Sequence, residues 1–264
     1  MNTICRDKMK LPAEIYSTLN SPIHRMNPMT KVIVFLLLVF SVSIVRSAES
    51  AAFILILAVV IWAFSKLPAG YVLRTMAMPF LFIFLFVLAL LVSVDGENIY
   101  SIWIFNVTAE GMEQAALILI RATAALLLMT ILLGTTKFDM IVKVLYDLKV
   151  PAFILQILMF SYRYIFVFSK ESESMKHSMA SKGFTPKISM RSLSSVSNTI
   201  AMLFINSFER GEAVFQSMAS KGYSGKPGII TKNKMYAKDY IFVAAGIIVA
   251  IGIQIPVILP MILN

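Results

Sequence analysis

The sequence predicts an all-α, polytopic membrane protein with about five transmembrane helices and a helical cytoplasmic coupling domain between spans four and five. Three observations carry that expectation. Hydrophobic residues fill 58% of the 264 positions and charged residues only 14%, with a mean hydropathy of +0.81, whereas soluble domains run at about 45–50% apolar and about 25% charged. Apolar runs of helical length recur along the chain. The 24 Lys and Arg against 14 Asp and Glu leave a net charge of +10, and nearly all the cations fall on one side of the expected topology. Disorder is excluded by the same composition. A disulfide scaffold is excluded by the single cysteine, Cys5, which closes no intrachain bridge.

Residues 1–31 read as a cytoplasmic N-terminal segment. They mix Lys, Arg, Asp, Glu and Pro without an apolar core, so no cleavable signal peptide is expected there. Residues 32–136 hold the first four spans, on the runs Val32–Val45, Ala51–Leu67, Met76–Val94 and Ala115–Gly134. A crossing helix takes roughly 20 residues. The first run is short, but Lys31 and Arg46 flank it, and their aliphatic stems can lie in the apolar layer while the charges reach the headgroups. Ser47-Ala48-Glu49-Ser50 reads as a hairpin between spans one and two. The loop Asp95–Met112 has no Lys or Arg and suits the outside. Tyr240–Leu263, in the last segment 240–264, forms the final span.

A sixth run, Pro151–Ser169, decides the topology. If it does not cross, 22 of the 24 Lys and Arg face the cytoplasm, with Arg46 outside and Arg121 within the membrane; if it crosses, 12 lie outside and 10 inside. The positive-inside bias therefore selects five crossings. Residues 137–239 then form one cytoplasmic insert carrying 15 of the cations.

Inside the insert, Phe138, Ile141, Val142, Leu145 and Leu148 share one face at spacings of three and four, the mark of an amphipathic helix. Pro151 interrupts it. The helix expected over Pro151–Ser169 is apolar nearly all round, apart from Gln156, Ser161 and Arg163, and so belongs against the membrane. An internal repeat follows: Ser178-Met-Ala-Ser-Lys-Gly-Phe184 recurs as Ser217-Met-Ala-Ser-Lys-Gly-Tyr223, offset by 39 residues, with Glu173 and Glu212 in register. Thr185-Pro186-Lys187 and the serines of 192–197 read as a break between the copies. Each copy has the pattern of a helix end, with Lys in the last turn, a left-handed Gly and an aromatic beyond it. A cap alone does not require Ser-Met-Ala-Ser-Lys to be copied residue for residue. A surface presented twice points to two identical or homologous partners.

Several chemistries are missing. Gly225-Lys226 lacks the spacing and hydroxyl of a nucleotide-binding loop, and no H-E-x-x-H, C-x-x-C or G-x-S-x-G occurs. His24 and His177 have no partner at ligand spacing. No catalytic, cofactor-binding or metal residue is therefore assigned. The spans carry no internal Asp or Glu with which a self-sufficient ion-coupled carrier would bind its ion. Arg121 is the one ionisable residue well inside a span, placed either to snorkel or to bind carbonyls or a partner's carboxylate. The scattered cations lack the aromatic interleaving of a nucleic-acid surface, and contact with anionic headgroups of the lipid bilayer explains most of them.

Several motifs resemble one family. Ser21-Pro-Ile-His-Arg-Met-Asn-Pro-Met-Thr-Lys31 is similar to its S-x-[IL]-H-x-L-D-P-R-x-K lead, Gly111–Arg121 to its arginine-bearing fourth span, and Thr135-Thr136 to the end of that span. Leu148-Lys-Val-Pro151, Tyr162-Arg163-Tyr164, Glu209-Arg210 and the two repeats complete the match from Ser21 to Gly225. The family is that of transmembrane T components of energy-coupling-factor (ECF) transporters, above all the cobalt- and nickel-type branch called CbiQ. Where that family carries Ala-Arg-Gly, this chain has Ser181-Lys182-Gly183 and Ser220-Lys221-Gly222, which keep the charge without the bidentate guanidinium. Asn27 replaces the usual Asp.

The resemblance implies a non-catalytic, multi-pass subunit of a prokaryotic cell membrane. It implies as partners two ATP-binding cassette ATPase subunits, which hydrolyse the ATP, and a membrane-embedded substrate-binding S component. The six residues of the two Ser-Lys-Gly tips would dock in ATPase grooves, Arg163, Glu209 and Arg210 would support the two crossed coupling helices, and no nucleic acid or cofactor is involved. Cobalt or nickel is the implied cargo, with a shared vitamin-type T component as the alternative. Two other readings compete: an intramembrane enzyme binding lipid phosphate through Arg121 and Arg163, and a stand-alone carrier.

Overall fold

In a computed structural model of the chain, the described residues are 21, 26–45, 47–93, 98–102, 105–223, 225 and 237–262. Residues 1–20, His24, Arg46 and the cations Lys226, Lys232 and Lys234 lie outside them. Among the described residues eight helices follow one another: α1 (Pro28–Ile44), α2 (Ala48–Ser65), α3 (Ala69–Ser93), α4 (Ala109–Thr135), α5 (Phe138–Asp147), α6 (Ala152–Ser181), α7 (Met190–Ser220) and α8 (Ala237–Ile262). Between α3 and α4 a short antiparallel hairpin, β1 (Asn98–Ile102) and β2 (Phe105–Thr108), occupies the loop that composition placed outside.

Among the described residues four helical stretches, Ala48–Ser65, Ala69–Leu91, Glu110–Thr135 and Ala152–Ser181, are long and apolar enough to cross a membrane. Pro28–Ile44 and Asp239–Gln254 are shorter apolar helices. The chain is thus helical and polytopic, as its hydropathy requires. The run that the charge bias set aside, Pro151–Ser169, is the first part of α6, which continues without a break to the first repeat. The serines expected to break the chain between the repeats instead lie inside α7. Ser189 caps that helix by accepting from Ser192 N at 3.2 Å. Ser195 and Ser197 donate to the carbonyls of Arg191 and Leu193, four residues back, at 3.0 and 2.9 Å. Hydroxyls bonded in this way are compatible with a helix interior.

The chain divides into two compact units, residues 1–144 with 232–264, and residues 145–231. The core of the first unit is built from Val32, Phe35, Leu38 and Val42 of α1, Ile54 and Ala58 of α2, and Ala124, Leu128 and Ile131 of α4. Large apolar side chains on its periphery, such as Met78 and Phe82 of α3, are exposed. In lipid that exposure is the expected state, because the solvent is as apolar as the side chains.

The ends of these helices are held by polar groups. Asn27 caps α1, accepting from Met29 N at 3.1 Å, with Pro28 in the first turn. Its Nδ2 donates to Asp239 Oδ2 at 3.3 Å, joining the starts of α1 and α8. An aspartate at position 27 would set two carboxylates against each other there, so the amide suits this pairing. Lys31, 2% exposed, donates its Nζ to the carbonyl of Thr135 at 3.1 Å, on the last residue of α4. A cation at a helix C-terminus satisfies an orphan carbonyl and faces the negative end of the dipole.

Helices α1 and α8 also approach closely. Ser41 donates its hydroxyl to Ala250 O at 3.1 Å, and a Cβ on Gly246 would lie 2.9 Å from Val34 Cγ1. Small residues at helix contacts are a device of membrane packing. Gly246→Ala is expected to lower thermal stability in detergent, because overpacking of about 1–3 kcal/mol exceeds the roughly 1 kcal/mol of helix propensity gained. Val34→Ala in the same chain should restore most of the loss. Gly252→Ala, where a Cβ meets nothing within 4 Å, should be neutral or stabilising.

Candidate functional site

The second unit is dominated by two long helices of nearly equal length, α6 with 30 residues and α7 with 31. Three side-chain contacts fix their relation. Near the start of α6, Gln156 Oε1 accepts from the hydroxyl of Tyr223, just past the end of α7. Midway, Glu171 Oε1 accepts from Asn206 Nδ2 at 2.6 Å. Towards the end of α6, Met179 Sδ lies 3.1 Å from Thr199 Oγ1, early in α7, whose hydroxyl donates to Ser195 O at 2.9 Å. The order is reversed along the two chains, so the helices run antiparallel. Each repeat therefore stands at its own end of the pair. With 1.5 Å of rise per residue, Lys182 and Lys221 are about 40 Å apart.

Both tips have the same local build. Lys182 and Lys221 are the C-cap residues, and Gly183 and Gly222 follow in the left-handed region at φ +77° and +76°. Phe184 N donates to Met179 O and Gly183 N to Ala180 O, each at 3.0 Å. At the other tip Tyr223 N donates to Met218 O and Gly222 N to Ala219 O, again at 3.0 Å. This is a Schellman closure at both ends, and it accounts for the Met, the Gly and the aromatic of each copy. Ser181 and Ser220 donate to His177 O and Gln216 O at 3.0 and 2.8 Å. The closure needs no lysine, yet Lys182 and Lys221 are both present and exposed.

The middle of the pair holds a polar node. The second oxygen of Glu171, Oε2, is buried without a hydrogen bond, and Arg210 Nη2 lies 4.0 Å from it. Glu171 and Arg210 are 39 residues apart, so the acid and the base that face each other occupy equivalent positions of the two copies. Of the residues expected to support the coupling helices, the structure brings Arg210 into this node and leaves Arg163 and Glu209 exposed. Glu171 and Asn206 were not singled out from the sequence, and Gln156 was noted only as a polar exception in an apolar helix. Periodicity reports which residues share a face, not which helix they meet; the 39-residue offset between Glu171 and Arg210 was the available signal. Beside the node an apolar groove of about 390 Å³ runs between Phe160, Tyr164 and Phe168 on one helix and Gly211, Val214 and Met218 on the other.

Arg121, in the first unit, is half-buried. Because α4 begins at Ala109, six residues ahead of the apolar run, Arg121 stands near the middle of its 27-residue helix rather than near its start.

The family described as CbiQ, cobalt transport protein, matches residues 19–231. This chain belongs to that family. It is 25% identical over 244 residues to the energy-coupling factor transporter transmembrane protein EcfT of Bacillus subtilis (strain 168), spanning 87% of this chain and 92% of that one. It is 27% identical over 240 residues to the EcfT of Heliobacterium modesticaldum, spanning 85% and 89% of the two chains. Over 121 residues it is 35% identical to a putative fused cobalt transport protein CbiMQ of Methanocorpusculum labreanum, covering 46% of this chain and 20% of that longer one. CbiQ and EcfT proteins are the transmembrane T components of ECF transporters. The present chain is accordingly a non-catalytic, multi-pass transporter component, and the enzyme reading falls away.

The positive φ at the two tip glycines gives a direct check. Gly183→Ala and Gly222→Ala should each cost about 1 kcal/mol. Protection of the amides of residues 183 and 184, or 222 and 223, against hydrogen exchange should drop about fivefold, with the other tip unchanged.

Proposed function

We propose that this CbiQ-family chain is the mechanical link of a metal-type ECF importer, with cobalt or nickel as cargo. Two ATPase subunits would each receive one Ser-Lys-Gly tip, and ATP-driven closure of those subunits would move the α6–α7 pair and so tip a membrane-embedded substrate subunit between its outward- and inward-facing states. The observation that carries this reading is the pair of identically closed, lysine-bearing ends about 40 Å apart on one antiparallel helix pair. One small partner could not reach both. Two copies of the same partner would each find the same surface.

Five crossings with the N-terminus and the insert in the cytoplasm fit this role. That arrangement keeps 22 of the 24 cations on the side where the bias puts them, and it leaves both lysine tips exposed to ATP-bearing subunits. A crossing by α6, which is long and apolar enough for one, would move eleven of those cations outside. The metal cargo is supported by the family's description and by the name of the Methanocorpusculum relative. A shared T component serving vitamin-type substrate subunits is the second reading, favoured by the full-length similarity to EcfT proteins.

With its neighbouring genes co-expressed, the chain should co-purify with two ATPase chains. Lys182→Glu and Lys221→Glu together should cut ATP-driven uptake of radioactive Co²⁺ or Ni²⁺ at least tenfold, and each alone should cut it less. Uptake unchanged in the double variant would sink the docking role. Uptake of a vitamin in place of either metal would select the second reading.

A further inference from the structure

The repeat makes the two tips look interchangeable, but their surroundings differ. At the second tip, Tyr223 is half-buried and its hydroxyl is taken up by Gln156. At the first tip the same position is Phe184, which has no hydroxyl. The residue 39 positions beyond Gln156 is Ser195, and its own hydroxyl is turned back to Arg191 O. The clasp that closes the second tip therefore has no counterpart at the first.

In its place is an open apolar socket of about 640 Å³, walled by Phe184, Pro186, Ile188, Met190, Leu193 and Val196. Ile188 is fully exposed, and Met190 and Leu193 are 84% and 63% exposed. Ser189 caps α7 through Ser192 N, and its own N–H donates to Lys187 O at 2.9 Å, so the turn that presents these side chains is held by hydrogen bonds. A preformed apolar cluster of this kind costs little ordering entropy to bind. Lys187 is among its lining residues, Lys182 and Arg191 are close to it in sequence, and no Asp or Glu occurs anywhere from Ser174 to Phe208.

We infer that the socket is a second part of the first docking tip. It would take an apolar side chain from an acidic surface of the same ATPase subunit that receives Lys182, so that the two tips hold their partners by unequal surfaces. This rests on the reading of the tips as docking points. Continuity names the occupant: Phe184 is both the residue that closes the tip and a wall of the socket, two residues from Lys182, so a protein seated on that lysine lies over the socket. A lysine in the lining and a flanking sequence with cations but no acid ask for an acidic partner.

Photo-crosslinking in native membranes tests it, with benzoyl-phenylalanine placed singly at positions 182, 188 and 221 of the chain co-expressed with its partners. All three positions should yield adducts with an ATPase subunit. An adduct from 182 together with a phospholipid adduct, an adduct to a second copy of this chain or no adduct from 188 overturns the socket while leaving the tip. Absence of ATPase adducts from both 182 and 221 overturns the docking reading itself. In the assembled complex, Ile188→Glu should weaken ATPase retention at least tenfold and Ile188→Leu should preserve it; equal retention by both would also overturn the proposal.

Discussion

A helix that ends in a chain this apolar leaves carbonyls without partners, and water is not there to supply them in the hydrocarbon layer. Most of what distinguishes this protein follows from how those ends are closed. α4 ends on the ammonium of a buried lysine brought from α1, while α6 and α7 end on their own following residues, through glycine in a left-handed turn. The first solution ties helices within one unit. The second needs no help from elsewhere, so it can stand exposed at the tip of a long helix. The first suits a packed membrane unit, and the second suits a helix whose end is exposed.

The equal lengths of α6 and α7 then determine where those ends are. Antiparallel helices of 30 and 31 residues place the end of each beside the start of the other, and a repeat that is adjacent in sequence becomes distant in space. The node at Glu171, Asn206 and Arg210 sits between the two ends. A half-buried carboxylate bonded to an amide and facing a guanidinium just beyond hydrogen-bond range fixes the register of the pair more firmly than apolar packing, which tolerates sliding. On the proposed reading, movement applied at one tip would be carried along a pair whose register is pinned at its middle.

Hydropathy made the membrane helices legible because the lipid demands unbroken apolar runs, and the repeat showed the two tips because a closure motif is local. Helix starts were less legible. α3 begins at Ala69 and α4 at Ala109, several residues before their apolar runs, since the headgroup region accepts Arg74, Glu110 and Glu113 within a continuing helix. The serines of α7 misled for a related reason: a hydroxyl is a break only where it has nothing better to bind than the flanking backbone, and here the carbonyls four residues back were available. The cross-helix pairings of Gln156, Glu171 and Asn206 were invisible because composition and periodicity describe one helix at a time.

The closure geometry also changes what the repeat signifies. Met, Gly and the aromatic are accounted for by the Schellman hydrogen bonds and their hydrophobic contact, so their duplication alone argues only for two well-made helix ends. The lysine is different. It lies at the C-cap, where its charge favours the end of the dipole by only a few tenths of a kcal/mol to about 1 kcal/mol when exposed, and many residues would serve nearly as well there. Its recurrence in both copies, on ends that face away from each other, is the part that local stability explains least and that a partner with a matching acidic groove explains most. The net charge of +10 thus separates into two kinds of cation. On the proposed reading most would act at any nearby position by biasing orientation in the membrane, whereas Lys182 and Lys221 would act only where the two helices stop.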